Sequence, residues 1–340
     1  MSTTSSDAAS QFGARQQTPI QRLQHTLHLY PWISPLVILI ISVIVFTTLN
    51  PRFLTPNSIG LLLQQTAIIA ALAVGQTLII LTAGIDLSVG AIAVLSMMVM
   101  ATLAKDGGMN GVVALFIGLA LATLAGLVNG LLVTRLNLPP FIVTLGTLSI
   151  FTAIALLYSG GSSIQAQHLP DVLNVLGEGF SIGGMRLTWG VVLVVAMYAV
   201  VGFILSQTAW GRHVYAVGDD VESARLSGVP SRRVLLQVYT FAGLLYGLAA
   251  WALIGRSGAA TPNAITEGNL QSITAVVIGG TSLFGGRGRL IGTLIGALIV
   301  QAFAFGLSLA GVNQQWRLLA TGVLVIIAVA IDQWIRKVKA

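Results

Sequence analysis

Residues 111–134 read GVVALFIGLALATLAGLVNGLLVT, twenty-four residues in a row without a charge. A membrane's hydrocarbon core takes roughly 20 apolar residues in helical form. A helix also satisfies its own backbone where no water can, so this stretch reads as a membrane span. Nine similar runs lie outward from it, at about 33–49, 59–83, 87–104, 139–158, 188–207, 236–256, 270–286, 289–310 and 317–335. Ten spans use about 200 residues, which a chain of 340 accommodates with room for loops. Only 8% of the residues are charged and mean hydropathy is +0.90, whereas soluble domains carry about 25% charge. That excludes an ordinary soluble enzyme and a disordered chain, and the long unbroken runs exclude an outer-membrane barrel. The reading is an all-α, polytopic membrane protein of about ten transmembrane helices.

The organisation follows. A polar tail, 1–32, lacks the apolar core of a cleavable signal and precedes a transmembrane domain over 33–335; residues 336–340 form a second short tail. Two loops are long enough to carry function: an outer one at 159–187 and an inner one at 208–235. In the outer loop, Pro170 and Gly177 bracket a short amphipathic helix. With the N-terminus in the cytoplasm, the inner set of basic residues is Arg15, Arg22, Arg135, Arg212, Arg225, Arg232, Arg233, Arg287, Arg289, Arg336, Lys337 and Lys339. The outer set is Arg52, Lys105, Arg186, Arg256 and Arg317, so twelve of the seventeen fall inside. The positive-inside rule therefore places both termini in the cytoplasm, and the net charge of +7 reflects those loops rather than a nucleic-acid partner.

Two separators are unusually thin. Gly84-Ile85-Asp86 divides the second and third spans, and Gly285-Gly286-Arg287-Gly288 divides the eighth and ninth. Glycine-interrupted stretches at membrane depth indicate broken helices covered by protein. Around them runs an echo. Ala73-Val74-Gly75-Gln76-Thr77-Leu78, a break and Val89-Gly90-Ala91-Ile92 resemble Val277-Ile278-Gly279-Gly280-Thr281-Ser282-Leu283, a break and Ile291-Gly292-Thr293-Leu294. The echo raises an inverted repeat without fixing its hand.

Several chemistries are absent from the sequence. With no cysteine there is no disulfide, thiolate nucleophile or cysteine metal site. The lysines, Lys105, Lys337 and Lys339, follow Ala104, Arg336 and Val338, so no Gly-Lys-Ser/Thr phosphate loop exists. Any ATP must be hydrolysed by another subunit, and no cofactor or metal is implied. His25 and His28 could share a helical face, but no further ligand accompanies them. No span holds a histidine to activate a serine. Among the acidic residues only Asp86 lies near a break at membrane depth. A proton or sodium relay is hard to build from one carboxylate.

Asp86, in Gly84-Ile85-Asp86-Leu87-Ser88-Val89-Gly90, can cap the third span by accepting from the N–H of Ser88 or Val89, and the same break can border a substrate path. The uncharged polar groups Gln64, Gln65, Gln76, Ser88, Asn129 and Asn137, with Gln301, are candidates to line that path or to bond between helices. The pairs Gly126/Gly130, Gly243/Gly247 and Gly292/Gly296 suit close helix packing within one subunit. On the inner loop, Gly218-Asp219-Asp220-Val221-Glu222-Ser223-Ala224-Arg225-Leu226-Ser227-Gly228-Val229-Pro230 reads as a punctuated helix. Asp219 is its expected N-cap with Glu222 three residues on, and Gly228 its left-handed end before Pro230. Ala224, Leu226 and Val229 give it small and apolar contacts that suit a partner groove.

These segments together resemble the ribose-type sugar permeases of ABC importers. The match lies in the Gly84–Gly90 motif, in Gly211-Arg212-His213-Val214-Tyr215-Ala216-Val217-Gly218, in Ala224–Val229 and in the run from Ala275 to Gly288 followed by Gly292–Ala297. The resemblance spans about 33–335. It implies an inner-membrane permease acting as a homodimer, with two cytoplasmic ATPase subunits and a periplasmic sugar-binding protein. It also assigns the helix around 219–229 as the coupling helix seated on the ATPase. The chain departs from the family at Glu267-Gly268-Asn269-Leu270-Gln271 and at Ala304-Phe305-Gly306-Leu307. The first departure bears on receptor docking or substrate identity. An ion-coupled secondary transporter of a small polar solute is the alternative, separated by copurification with an ATPase. An intramembrane enzyme lacks its nucleophile and base.

Overall fold

The computed structural model describes residues 33–337. The expected tail at 1–32, with His25 and His28, and residues 338–340 lie outside the described residues. The helices are α1 (Ile33–Leu49), α2 (Pro56–Leu81), α3 (Val89–Lys105), α4 (Gly111–Arg135), α5 (Pro140–Ser159), α6 (Trp189–Gln207), α7 (Ala209–Asp219), α8 (Val221–Leu226), α9 (Ser231–Ser257), α10 (Gly268–Ile278), α11 (Leu290–Leu309) and α12 (Gln314–Lys337). Six of them, α2, α4, α5, α6, α9 and α11, are long and apolar enough to cross a membrane by length and composition. α1, α3 and α10 are shorter apolar helices. The protein is a mostly helical, polytopic membrane protein.

Local chemistry sets the helix ends. Thr55 caps α2 at Ser58 N–H with Pro56 in the first turn, and Asn110 accepts from Val112 N–H at 2.9 Å to start α4. Gly160 and Gly258 close α5 and α9 in the left-handed conformation. Burial sorts centre from rim: 72% of the apolar window of α2 is inside the protein against 28% for α5 and α6. α2 is therefore the central post, with α9, α10 and α11 around it. The exposed apolar side chains of α1, α4, α5 and α6 face outward.

Two expectations need correction. The eighth run, expected over 270–286, is an eleven-residue half-helix, α10, ending at Ile278. At 1.5 Å per residue it reaches only about 16 Å. Gly279 is pressed against the backbone of Gly292 and Gly280 takes φ 84°, which ends the helix there. Thr281 and Ser282, in the irregular stretch that follows, are fully buried. Two short strand pairs also accompany the helices. The outer loop pairs β2 (Gly179–Ile182) with β3 (Met185–Thr188) across Gly183-Gly184, and β1 (Ile164–Gln165) pairs with β4 (Ala259–Ala260). Both glycines of that turn have positive φ, the geometry a two-residue hairpin needs. The helix expected between Pro170 and Gly177 is one α-turn, Asp171–Asn174, followed by a 3-10 turn over Val175–Gly177. Leu173 and Leu176 are buried beneath it.

The glycine pairs act inside the subunit, as expected. Gly126 of α4 lies against Gly243 of α9, with α-carbons and amides in direct approach, and Gly247 lies against Ala122. Gly292 and Gly296 of α11 fit against Gly279 and Ala275. The two echoed segments are alike only in part. Val89 and Leu290 each lie at the start of a helix that follows a break, but Gly75 is mid-helix in α2 while Gly279 ends α10.

Loops gather at two ends. At one, Asn50 Nδ2 donates to Leu309 O, Gln64 Nε2 to Arg186 O and Trp251 Nε1 to Val172 O. At the other, Gly286 N–H donates to Leu81 O, Thr144 Oγ1 to Ile85 O and Tyr215 hydroxyl to Gly288 O.

Candidate functional site

The first break, between Leu81 and Val89, encloses a buried polar cluster. Asp86 is 1% exposed and its Oδ1 accepts from Ser88 N–H at 2.7 Å and from Ser88 Oγ at 2.6 Å. Asn129 Nδ2 from α4 donates to the same Ser88 Oγ at 2.9 Å. From α9, the Tyr246 hydroxyl reaches Asp86 and lies 3.5 Å from Gln76 Oε1. The Tyr239 hydroxyl sits over Gly84, and a methyl group there would lie 2.9 Å from it. The expected bond from Ser88 N–H is thus formed, but as a side-chain turn ahead of the helix: Ser88 is itself the N-cap of α3, and no side chain caps its free N–H groups. Gln76 Nε2, Asn129 Oδ1 and the Tyr239 hydroxyl have no hydrogen-bond partner among the described residues.

The inner loop holds two helices. α7 starts under the cap of Thr208 on Gly211 N–H. It runs to Asp219, so Asp219 ends one helix and does not cap the next. The N-cap of α8 is Asp220, whose carboxylate accepts from Ser223 N–H at 2.7 Å. That bond holds the exposed Asp220 carboxyl below its ordinary range. Displaced by one residue, Glu222 is not a capping-box partner and pairs instead with Arg225 at 3.1 Å. The expected stop is present: Gly228 has φ 84°, with Val229 N–H donating to Ala224 O. Ala224 is buried, while Leu226 is 83% exposed.

The two helix breaks and α7 meet at one glycine. Gly218 packs directly on Leu81 O and Gly286 N, the two atoms whose hydrogen bond joins the first break to the second. Gly286 in turn lies against the backbone of Asp219. The segment carrying α8 is therefore strapped to both discontinuous helices with no side chain between. Thr77 and Thr293 hydroxyls, 2.9 Å apart, add a bond between α2 and α11.

At the opposite end a polar cavity of about 270 Å³ opens among α2, α9, α10 and α11, with Gln65, Arg256, Glu267, Gln271, Gln301 and Gln314 on its walls and Ile68, Ile69 and Leu253 also lining it. Gln301 Nε2 donates to Gln271 Oε1 at 3.2 Å, and Gln271 Nε2 to Glu267 Oε2 at 3.3 Å.

Of the path candidates, the structure brings Gln76, Asp86, Ser88 and Asn129 together at the first break. Gln65 is apart from them, on the cavity wall. Gln64 bonds to the outer hairpin. Asn137 is exposed at a left-handed turn, φ 52°, beyond α4. Arg256, Glu267, Gln271 and Tyr246 were not among the candidate path residues, although Glu267 and Gln271 lie in the departure from the resembled family. The first three sit in segments read as loop edges, and only the folding of α10 against α9 and α11 turns them to one space.

Comparison with known proteins agrees with this architecture. Residues 58–329 match the family described as branched-chain amino acid transport system / permease component. The chain is 49% identical to the fructose import permease protein of Rhizobium meliloti over 99% of its own length and 94% of that protein's. It is 39% identical to the ribose import permease protein of Bacillus subtilis (strain 168), over 88% and 92%. It is 32% identical to the galactose/methyl galactoside import permease protein of Escherichia coli (strain K12), over 87% and 91%. With its buried helix breaks tied through Gly218 to the loop helices, the chain belongs to this family of membrane permease components.

Proposed function

We propose that this chain is the membrane subunit of an ATP-driven importer of a monosaccharide, working in a bacterial inner membrane as a homodimer. Two cytoplasmic ATPase subunits and a periplasmic sugar-binding protein complete it. The sugar names carried by the relatives, fructose, ribose and galactose among them, support a neutral polyhydroxyl cargo. No phosphate loop exists in this sequence, so work must arrive by contact. The observation that carries the reading is the strap at Gly218, which lets a push on α8 reach both broken helices as a rigid-body shift.

The same reading places the α8 end of the protein in the cytoplasm and the β2–β3 hairpin outside. Ten crossings, both termini inside and an inverted relation between spans two to five and seven to ten complete it. A reporter fused after Ala340 should give a cytoplasmic signal and one inserted at Gly183-Gly184 an external signal. The opposite pattern reverses the orientation.

The coupling role has its own test. Ala224→Trp should overfill a close-packed position at about 1–3 kcal/mol. Gly228→Val should cost about 1–2 kcal/mol because the left-handed backbone suits only glycine; around Gly228 there is free space, so no clash adds to it. Both variants, assembled with their partners in nanodiscs, should hydrolyse ATP without matching sugar uptake or should release the ATPase. Normal stimulation and normal uptake in both would move coupling elsewhere.

A further inference from the structure

We infer that the outer cavity is a monosaccharide-binding station of the permease itself, so that selection is shared with the binding protein. This rests on the importer reading above and adds to it a site and its residues.

The walls have the chemistry of a sugar. Gln65, Gln271 and Gln301 each offer a carboxamide with donors and acceptors side by side, Glu267 accepts, and Arg256 donates through a planar fork. A sugar's neighbouring hydroxyls both donate and accept, and such groups match them in pairs. One cation and one anion on the walls leave no net charge, which favours a neutral solute over an ion. Among the described residues Arg256 is in no ion pair, so its fork is available.

The site is built rather than incidental. Gln301 is 6% exposed and stands eight residues before the end of α11, about 12 Å from the outer end. Its amide is held by Gln271, which is held by Glu267, through bonds of 3.2 and 3.3 Å. These lie at the long end of the N–H···O range, so a hydroxyl can replace them at little cost. At about 270 Å³ the space is below the range of drug-sized pockets, which suits one sugar ring. Among the described residues no aromatic ring lines it, so stacking by them contributes nothing and binding is weak. Weak binding is what a transit site needs, since the solute must also leave.

The cavity also leads somewhere. Gln65 and Gln76 stand eleven residues apart on α2, three helical turns and thus one face. Between them Leu72 is fully buried and would touch a methyl group at Gly268, the first residue of α10. A sugar in the cavity is thus separated from the Gln76–Asp86 cluster by an apolar plug formed where α10 meets α2. A shift of α10, which leads into the break strapped to Gly218, is the motion that would open it.

Saturation-transfer NMR on the full chain in nanodiscs, with millimolar D-fructose and D-ribose as probes, tests the station without any partner. Transfer to at least one sugar is expected. It should fall about tenfold in Gln301→Leu, as expected for two lost hydrogen bonds, and should fall in Glu267→Gln, which preserves volume and keeps folding out of the comparison. Uptake by the reconstituted system should show a changed fructose-to-ribose ratio in both variants. Absent transfer in the wild type, or unchanged transfer and an unchanged ratio in Glu267→Gln, overturns the station. Retained transfer with no ATP-dependent uptake of either sugar would instead remove the importer reading.

Discussion

Gly218→Val should give a chain that no longer assembles into a stable, monodisperse permease. A β-carbon at this position would run into Leu81 O and come within 2.7 Å of Gly286 N, the acceptor and donor of the bond between the two breaks. Overpacking costs about 1–3 kcal/mol and stranding a buried donor and acceptor about 1–3 more. Together these make ~4 kcal/mol, a large share of the stability of a typical domain. Gly228→Ala is the contrast: it lies in open space and meets only the left-handed backbone penalty, about 1–2 kcal/mol. Thermal unfolding in detergent, followed by size-exclusion profiles, ranks the two. A Gly218→Val protein as stable as Gly228→Ala would mean that the breaks are held by something other than this contact.

Asp86 gives the second large effect. Asp86→Leu removes the acceptor of two bonds from Ser88 and leaves buried donors unmatched beside Asn129 and Tyr246, at about 3 kcal/mol. Asp86→Asn keeps a carbonyl oxygen for the Ser88 pair, and Asn forms the same side-chain-to-backbone turn as Asp. Expression, thermal stability and uptake should therefore fall steeply for Leu and stay within about 1 kcal/mol of wild type for Asn. If Asn abolishes uptake in a protein of normal stability, the carboxylate charge has a part in transport that the bonds to Ser88 do not explain.

The first prediction depends on close approach of backbone segments distant in sequence and the second on bonds within three residues, and that difference separates what was legible in advance from what was not. The apolar runs were readable because lipid imposes one requirement on every span: about 20 residues without charge, with the backbone satisfied internally. The glycine separators, the Asp86–Ser88 bond, the positive-φ end at Gly228 and the packing role of the GxxxG pairs were readable because each is a local property of a few residues. The resemblance to sugar permeases rested on the same motifs, and the family match covers them.

Other features were settled only by partners distant in sequence. Whether Asp219 or Asp220 caps α8 turned on where α7 ends, and α7 runs to Asp219 with Gly218 seated on Leu81 and Gly286, far away in the chain. The eighth run looked like a full span because apolar composition does not record helix continuity. α10 stops at Ile278 where Gly279 is pressed on Gly292 of the crossing α11, and Gly280 takes a left-handed turn. Gln65, Arg256, Glu267, Gln271 and Gln301 are scattered over more than 230 residues, and only Glu267 and Gln271, four residues apart, are linked by their spacing. Sequence by itself determined that the chain lives in a membrane, that glycine-rich separators interrupt its helices and which loop carries a short helix stopped at Gly228, because those follow from solvent and short-range sterics. The tertiary structure alone decided which polar groups share a space and which break is strapped to which. Those contacts come from helices packing across the membrane, and no local pattern encodes them.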